Sequence, residues 1–208
     1  LKVLKKKKYN KVIEKDLKLL LKENNIVIKS LRPDFKNNYN KKTILKLKNY
    51  FHLRVIGMGG SILGTKSIYD FLKNKIKKKF YFIDNLQSKV DFYRKKKIAN
   101  LIISKSGNTL ETISNSNIFI EKSNKNIFIT ENKESYLYSL AQQLKSEIVH
   151  HNNFIGGRYS VLSEVGMLPA ELMGLNIKKF KQLNNLIKNK KFLYELVVNV
   201  NNTLYFLK

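Results

Sequence analysis

Leu53-Arg54-Val55-Ile56-Gly57-Met58-Gly59-Gly60-Ser61, running on into Ile62-Leu63-Gly64-Thr65, is the stretch that decides the fold. A short apolar run stops on glycines. Behind it Ile62, Leu63, Ile68, Phe71 and Leu72 fall on one face at helical spacing, which predicts a helix over Ser61 to Ile76. The same texture repeats outward. Phe80 to Ile83, Leu101 to Ile103, Asn126 to Ile129 and Glu147 to Val149 read as strands. Gln87 to Lys97, Thr109 to Glu121 and Glu134 to Lys145 read as the helices between them. Strands this short and apolar, alternating with helices, predict a parallel sheet covered on both faces. Right-handed crossovers make it an α/β doubly wound fold. The flanks read as helical. Val12, Ile13, Leu17, Leu20 and Leu21 recur at helical spacing, Arg32-Pro33-Asp34 breaks the pattern, and Lys41 to Tyr50 resumes it. After His150-His151, a glycine-containing loop runs through Arg158. Helices are then expected over Leu162 to Met173, Ile177 to Asn189 and from Leu193 onward. The expected organisation is a helical segment over 1–50, a binding domain over 51–160 and a helical segment over 161–208.

Composition bounds the function. With 43% hydrophobic and 11% aromatic residues in 208, the chain can bury a core despite a net charge of +26. No run approaches the roughly 18 apolar residues of a membrane span. Cysteine is absent, which excludes a disulfide framework, a cysteine nucleophile and thiolate-bound metals. Lys5 to Lys8 are not followed by the apolar stretch of a signal peptide, so the expected location is cytoplasmic, with no membrane partner. The chain opens on Leu1 rather than Met and closes at Lys208 inside an apolar-periodic stretch, which reads as a portion of a longer protein.

The 41 Lys and Arg against 15 Asp and Glu would ordinarily suggest nucleic acid. Only Arg32, Arg54, Arg94 and Arg158 are arginines, however, and base and phosphate readers favour arginine. Abundant Lys, Asn and Ile with scarce Arg, Ala and Pro is what A+T-rich codons produce. No specific nucleic-acid partner is expected. Such a field still attracts small anions.

In an open parallel sheet, ligands bind outside the carboxyl ends of the strands. Three unusual loops fall there: Gly57 to Ser61, Ser104 to Thr109, and Phe154 to Ser160. The first joins a strand to a helix N-terminus through glycines, a ready anion site. Two nucleotide motifs nearly fit it and fail. A P-loop spacing runs from Gly59 to Gly64, but Thr65 stands where its lysine belongs, with Lys66 one place late. The dinucleotide fingerprint needs glycine at Ile62, although Asp84 stands where its ribose acid would lie. A tight turn without ligand is the plainer alternative. The second loop offers hydroxyls at Ser104, Ser106 and Thr109, with Lys105 for charge and Gly107 for an open turn. A phosphate dianion calls for such donors beside a positive helix end. The plainer alternative is a helix cap, since Asn108 with Glu111 three places on has the form of a capping box. The third loop places Arg158 after Gly156-Gly157. This suggests a planar cationic fork or, more plainly, a salt bridge that closes the loop.

Gly57-Met58-Gly59-Gly60-Ser61, then Ser104 to Thr112 (SKSGNTLET), then Gly156 to Ser163 (GGRYSVLS) with Gly166 together resemble the glucose-6-phosphate isomerase family. The last stretch is the most specific. SKSGNT recurs across sugar-isomerase (SIS) domains. The resemblance spans about residues 50 to 175 in the right order. It implies a Rossmann-like, three-layer α/β/α SIS domain and reversible aldose–ketose isomerisation through a cis-enediolate. It implies that Ser104, Lys105, Ser106, Gly107, Asn108 and Thr109 bind the sugar phosphate. Gly60, Ser61 and Gly157 would line the same pocket, and Arg158 would steady the enediolate. No metal or cofactor is implied, and the family is dimeric. The family's base glutamate, ring-opening histidine and a C-terminal lysine lie further along than this chain reaches. His150 and His151 do not match that histidine and read as loop residues, and His52 reads as structural. A stand-alone phosphosugar-sensing module is the alternative. GGRYSVLS favours the isomerase, and residues 1–50 carry no clear DNA-recognition helix.

Overall fold

The computed structural model describes residues 9–87, 97–121 and 123–207. They fall into two compact units, Lys36–Phe180 and the described parts of Leu1–Phe35 with Lys181–Lys208.

The larger unit is built on five parallel strands: β1 (His52–Gly57), β2 (Lys79–Ile83), β3 (Ile98–Ile103), β4 (Lys125–Thr130) and β5 (Glu147–His150). Their order in the sheet is β2-β1-β3-β4-β5. The chain therefore leaves β1 in one direction for β2 and returns to its other side for β3. The switch point lies between β1 and β3, where an open parallel sheet holds its ligands. The expected helix over Gln87 to Lys97 falls largely on residues 88–96, outside the described residues.

Strand alternation builds two cores. Leu53, Val55, Leu101, Ile103, Ile127 and Ile129 share one face with Leu47 of α3 (Lys41–Lys48) and with Val165, Leu168 and Leu172 of α7 (Glu164–Leu172). Ile56, Ile102 and Phe128 share the other with Phe119 of α5 (Leu110–Phe119) and with Leu137 and Ala141 of α6 (Tyr136–Gln143). These clusters confirm the three-layer α/β/α arrangement. Helix α4 (Leu63–Leu72) follows β1 after a single 3₁₀ turn.

One row of the sheet is polar. Arg54 pairs in register with Asn100, and Asn100 with Asn126. The Arg54 guanidinium donates to Asn100 Oδ1 at 3.2 Å and to the Phe119 carbonyl at 2.9 Å, and lies over the Phe119 ring. Asn100 donates on to Asn126 Oδ1 at 2.7 Å. All three side chains are buried. Buried polar groups persist where they satisfy one another, so this row is a structural rung inside strands that otherwise read as apolar.

Helix α7 carries Pro169, which has no N–H to give the Val165 carbonyl four places back. The buried Thr65 hydroxyl of α4 donates to that carbonyl at 3.3 Å instead. The helix thus stays intact and is tied to α4.

The smaller unit holds α1 (Lys11–Lys22), α2 (Ile26–Ser30), α8 (Leu183–Lys188) and α9 (Lys190–Phe206). The single helix expected over Ile177 to Asn189 is instead a 3₁₀ turn at Ile177–Lys179 and the separate α8. Between them Lys181 is buried, with its ammonium over the Phe35 ring at 4.4 Å and 3.5 Å from the Phe35 carbonyl. A buried lysine must find such partners, and Lys181 finds them at the break between the two elements.

Candidate active site

The three loops singled out in the sequence all lie on one edge of the larger unit. Gly57 to Ser61 follows β1, Ser104 to Thr109 follows β3, and the stretch from His151 follows β5. The first two therefore flank the switch point.

The first and third loops are joined through backbone. A methyl group on Gly60 would come 2.3 Å from the Gly157 carbonyl oxygen, and one on Gly64 would come 2.6 Å from the Val161 side chain. Ser160 is buried and donates to the Gly157 carbonyl at 2.8 Å. The glycines bring together two turns that a side chain would hold apart. Arg158 sits in the 3₁₀ stretch Gly157–Leu162 and is exposed. Among the described residues it makes no ion pair, so the loop-closing salt bridge is not formed. A groove lined by Leu63, Phe71, Val161 and Phe180 runs beside it.

The second loop is a cup of donors. Ser104 is buried, and its hydroxyl lies 2.9 Å from that of Thr109. Gly107 turns the chain at φ +67° and gives its amide to Ser104 Oγ at 3.2 Å. Asn108 N donates to Ser106 Oγ at 3.2 Å. Thr109 is the N-cap of α5 without a capping side-chain bond, so the helix opens toward the cup with its first amides available. The capping box expected of Asn108 and Glu111 is not formed. Asn108 Oδ1 accepts from Tyr136 N, at the start of α6, at 2.9 Å.

Lys105 is held from behind the loop. Its ammonium donates to the Asn153 carbonyl at 2.7 Å and lies 3.4 Å from Glu131 Oε1. Its own carbonyl accepts from Glu131 N at 3.1 Å. Neither Glu131 nor Asn153 was legible as a site residue, because each acts only through the fold.

His150 ends β5, whereas His151 is in the following loop and is buried, 1% exposed. Burial pushes the His151 imidazole below its usual pKa, partly offset by its hydrogen bond to the Asn152 carbonyl and by the Glu164 charge. Glu164 is fully buried, accepts from Asn152 N at 2.7 Å, and lies 3.9 Å from His151 Nδ1. This pair braces the loop that holds Lys105. His52 opens β1 and meets the Tyr81 hydroxyl at 2.9 Å. Asp84, the ribose-acid candidate, is instead 2.9 Å from the Lys66 ammonium, and that pairing raises the lysine's pKa. Ile62, where a dinucleotide motif needs glycine, is fully buried in the core. Among the described residues no group of three or more His, Cys, Asp or Glu could hold a metal, and no helix is long and apolar enough to cross a membrane.

Comparison with known proteins agrees with the architecture. The chain is 31% identical to glucose-6-phosphate isomerase of Mycoplasma genitalium, over 80% of this chain and 46% of that protein. It is 33% identical to the protein of the same name from Methanocaldococcus jannaschii, over 71% of this chain and 40% of that one. It thus spans less than half the length of these curated relatives. Among solved structures, a hypothetical protein from Thermus thermophilus aligns with TM-score 0.67 and 20% identity, covering 91% of this chain and 50% of that one. Tagatose-6-phosphate ketose/aldose isomerase from Escherichia coli aligns with TM-score 0.51 and 12% identity, covering 78% and 46%. At those identities the structures establish the shared fold. The sequence model of the phosphoglucose isomerase family matches residues 2–194, so the chain belongs to that family.

Proposed function

We propose that the larger unit, and within it residues 51–160, is the phosphosugar-binding part of an enzyme that interconverts glucose 6-phosphate and fructose 6-phosphate. The family match and the cup after β3 support this. The observation that carries it is the Ser104–Thr109 hydroxyl pair, 2.9 Å apart at the open N-terminus of α5 and beside the switch point. Hydroxyls and helix amides suit a dianion that needs several donors at once, and Lys105, its ammonium held by Asn153 and Glu131, offers the phosphate its backbone amide.

The chemistry divides accordingly. Isomerisation removes the proton from C2 of the open-chain aldose, places negative charge on O1 in a cis-enediolate, moves the O2 hydroxyl proton to O1, and returns a proton to C1 as C2 becomes the carbonyl. A carboxylate base performs the transfer, and we place that base, the ring-opening histidine and the lysine outside residues 1–208. What this chain supplies is anchorage and charge stabilisation. The phosphate contacts hold the substrate at a point remote from the reacting carbons, and that binding energy fixes the orientation of C1 and C2. Ser104, Lys105, Ser106 and Thr109 hold the phosphate, and Gly60, Ser61 and Gly157 line the pocket. Arg158, exposed and without an ion-pair partner among the described residues, faces the enediolate oxygen as a cationic donor. No cofactor enters the scheme, which shifts only a proton. The complete enzyme works in the cytoplasm as a homodimer. This chain alone binds substrate without turning it over.

Titration calorimetry with fructose 6-phosphate tests the assignment. The chain should bind the sugar, and Ser104→Ala with Thr109→Ala should abolish binding. Unchanged affinity in the double variant would place the phosphate elsewhere.

A further inference from the structure

We infer that Asn108 is a positioning residue: its carboxamide fastens the cup to the first turn of α6 and so fixes the orientation of the donors at Ser104, Ser106 and Thr109. The inference rests on the reading of that cup as the phosphate site, and it assigns Asn108 a role other than contact with the sugar.

Two consecutive loop residues satisfy two consecutive amides of α6. Asn108 Oδ1 accepts from Tyr136 N at 2.9 Å, and the Gly107 carbonyl accepts from Leu137 N at 3.0 Å. The first amides of a helix have no partners within it, so α6 offers a socket and the loop fills it. Ser135, the N-cap, takes the next amide, from Tyr138, at 3.3 Å. The fit is close. A methyl group on Gly107 would come 2.1 Å from Ser135 Oγ and 2.7 Å from its Cβ. The orientation of the carboxamide follows from the partner, because an N–H donor requires the oxygen.

The same two residues carry the cup. Gly107 N donates to Ser104 Oγ, and Asn108 N donates to Ser106 Oγ, each at 3.2 Å. Ser104 Oγ meets Thr109 Oγ1. A displacement of Gly107 and Asn108 would therefore carry all three hydroxyls with it. Gly107 holds a left-handed φ of +67° and is buried against Ser135. Asn108 is exposed, and burial does not hold it. Among the described residues its carboxamide is the one side-chain link to α6 from this exposed end of the turn, beside the backbone bond from Leu137 N to the Gly107 carbonyl.

Removing the donor without touching Asn108 is possible. Tyr136 is the first residue of α6, the helix position that accepts proline, and Ser135 before it is extended at φ −162° and ψ 164°, as a residue before proline prefers. Tyr136→Pro thus deletes the N–H, and Tyr136→Ala controls for the ring, whose hydroxyl pairs with Asn117 of α5. Fructose 6-phosphate affinity is measured by calorimetry on the full chain for Asn108→Ala, Tyr136→Ala, Tyr136→Pro and the Asn108→Ala, Tyr136→Pro double variant. We expect Tyr136→Ala to bind like wild type, and Asn108→Ala and Tyr136→Pro each to weaken binding about fivefold, the scale of one lost hydrogen bond. The double variant should be no weaker than either single, since both cut the same link. If Asn108→Ala weakens binding while Tyr136→Pro matches Tyr136→Ala, Asn108 touches the ligand and the inference fails. It fails also if neither variant weakens binding. Amide exchange at Gly107 and Asn108 without ligand gives a second measure. Exchange should quicken in Asn108→Ala and Tyr136→Pro but not in Tyr136→Ala, and unchanged rates overturn the inference. Quickened exchange in a chain that binds no phosphosugar would uphold the anchor and sink the site reading.

Discussion

The glycine turn after β1 and the glycine turn after β3 stand side by side on the same edge of the sheet, each leading into a helix, yet they are built in opposite ways. At Gly57 to Ser61 Gly59 turns the chain at φ +53°, while Gly57 and Gly60 let backbone meet backbone, at Ile103 and at Gly157, and just beyond the turn Gly64 makes room for the Val161 side chain. At Ser104 to Thr109 the single glycine supplies a left-handed dihedral angle and room against the Ser135 side chain, and side-chain hydroxyls and borrowed amides do the rest. One turn is a seam that packs two loops together. The other is a small scaffold that presents donors and is hung on α6. A glycine before a helix therefore says only that the chain must turn or approach closely. What surrounds it decides whether the result binds anything.

The seam should be the less forgiving of the two. Gly60→Ala forces a methyl group to 2.3 Å from a backbone carbonyl that cannot swing aside. We expect a loss of about 3 kcal/mol in urea unfolding, at the upper end of overpacking costs, with phosphosugar binding lost as the Arg158 loop separates. An alanine variant as stable as wild type would erase the distinction. Gly107→Ala should cost less in stability, about 1–2 kcal/mol for an alanine held at positive φ. Its neighbours are side-chain atoms rather than backbone: Ser135 Oγ can rotate away, and Ser135 Cβ, at 2.7 Å, must shift with its residue. Its larger effect should fall on phosphosugar affinity, read by calorimetry. A variant that is destabilised but binds normally would show that the cup tolerates the misplacement of its turn.

His151 sharpens the contrast by pH. Its folded pKa lies below the usual 6.5 because it is buried, so the unfolded chain takes up the proton first on acidification. The stability it lends is complete above about 6.5 and declines as pH falls from there toward its folded pKa. Glu164, Lys105 and Glu131 are the charged groups that act on it. We expect the melting temperature to fall between about pH 7 and 5, and His151→Asn to flatten that fall. An unaltered slope in the variant would assign the acid sensitivity to the carboxylates alone.

Much of this was legible in the sequence, for physical reasons that differ by element. The strands were visible because a parallel sheet covered on both faces leaves continuous apolar runs such as Leu101-Ile102-Ile103. The loops stood out because glycines, hydroxyls and one of the few arginines gather at the carboxyl ends of the strands, where an open parallel sheet holds its ligands. Three features could not be seen. The Arg54–Asn100–Asn126 rung depends on register between strands far apart in the chain. The break between Ile177–Lys179 and α8 coincides with Lys181 packing on Phe35, far away in the chain. And Asn108 with Glu111 carried the spacing of a capping box, while the amide that Asn108 caps belongs to another helix. In each case local spacing was outweighed by a partner that only the folded chain supplies.

The phosphate role of the cup is tested most directly by amide chemical shifts of the isotopically labelled chain during titration with fructose 6-phosphate, beside a parallel titration with fructose. We expect the largest changes at Lys105 to Thr109 and the first amides of α5 with the phosphorylated sugar, and none there with fructose. Changes confined to Gly57 to Ser61, or equal responses to both sugars, would show that the donors after β3 hold no phosphate.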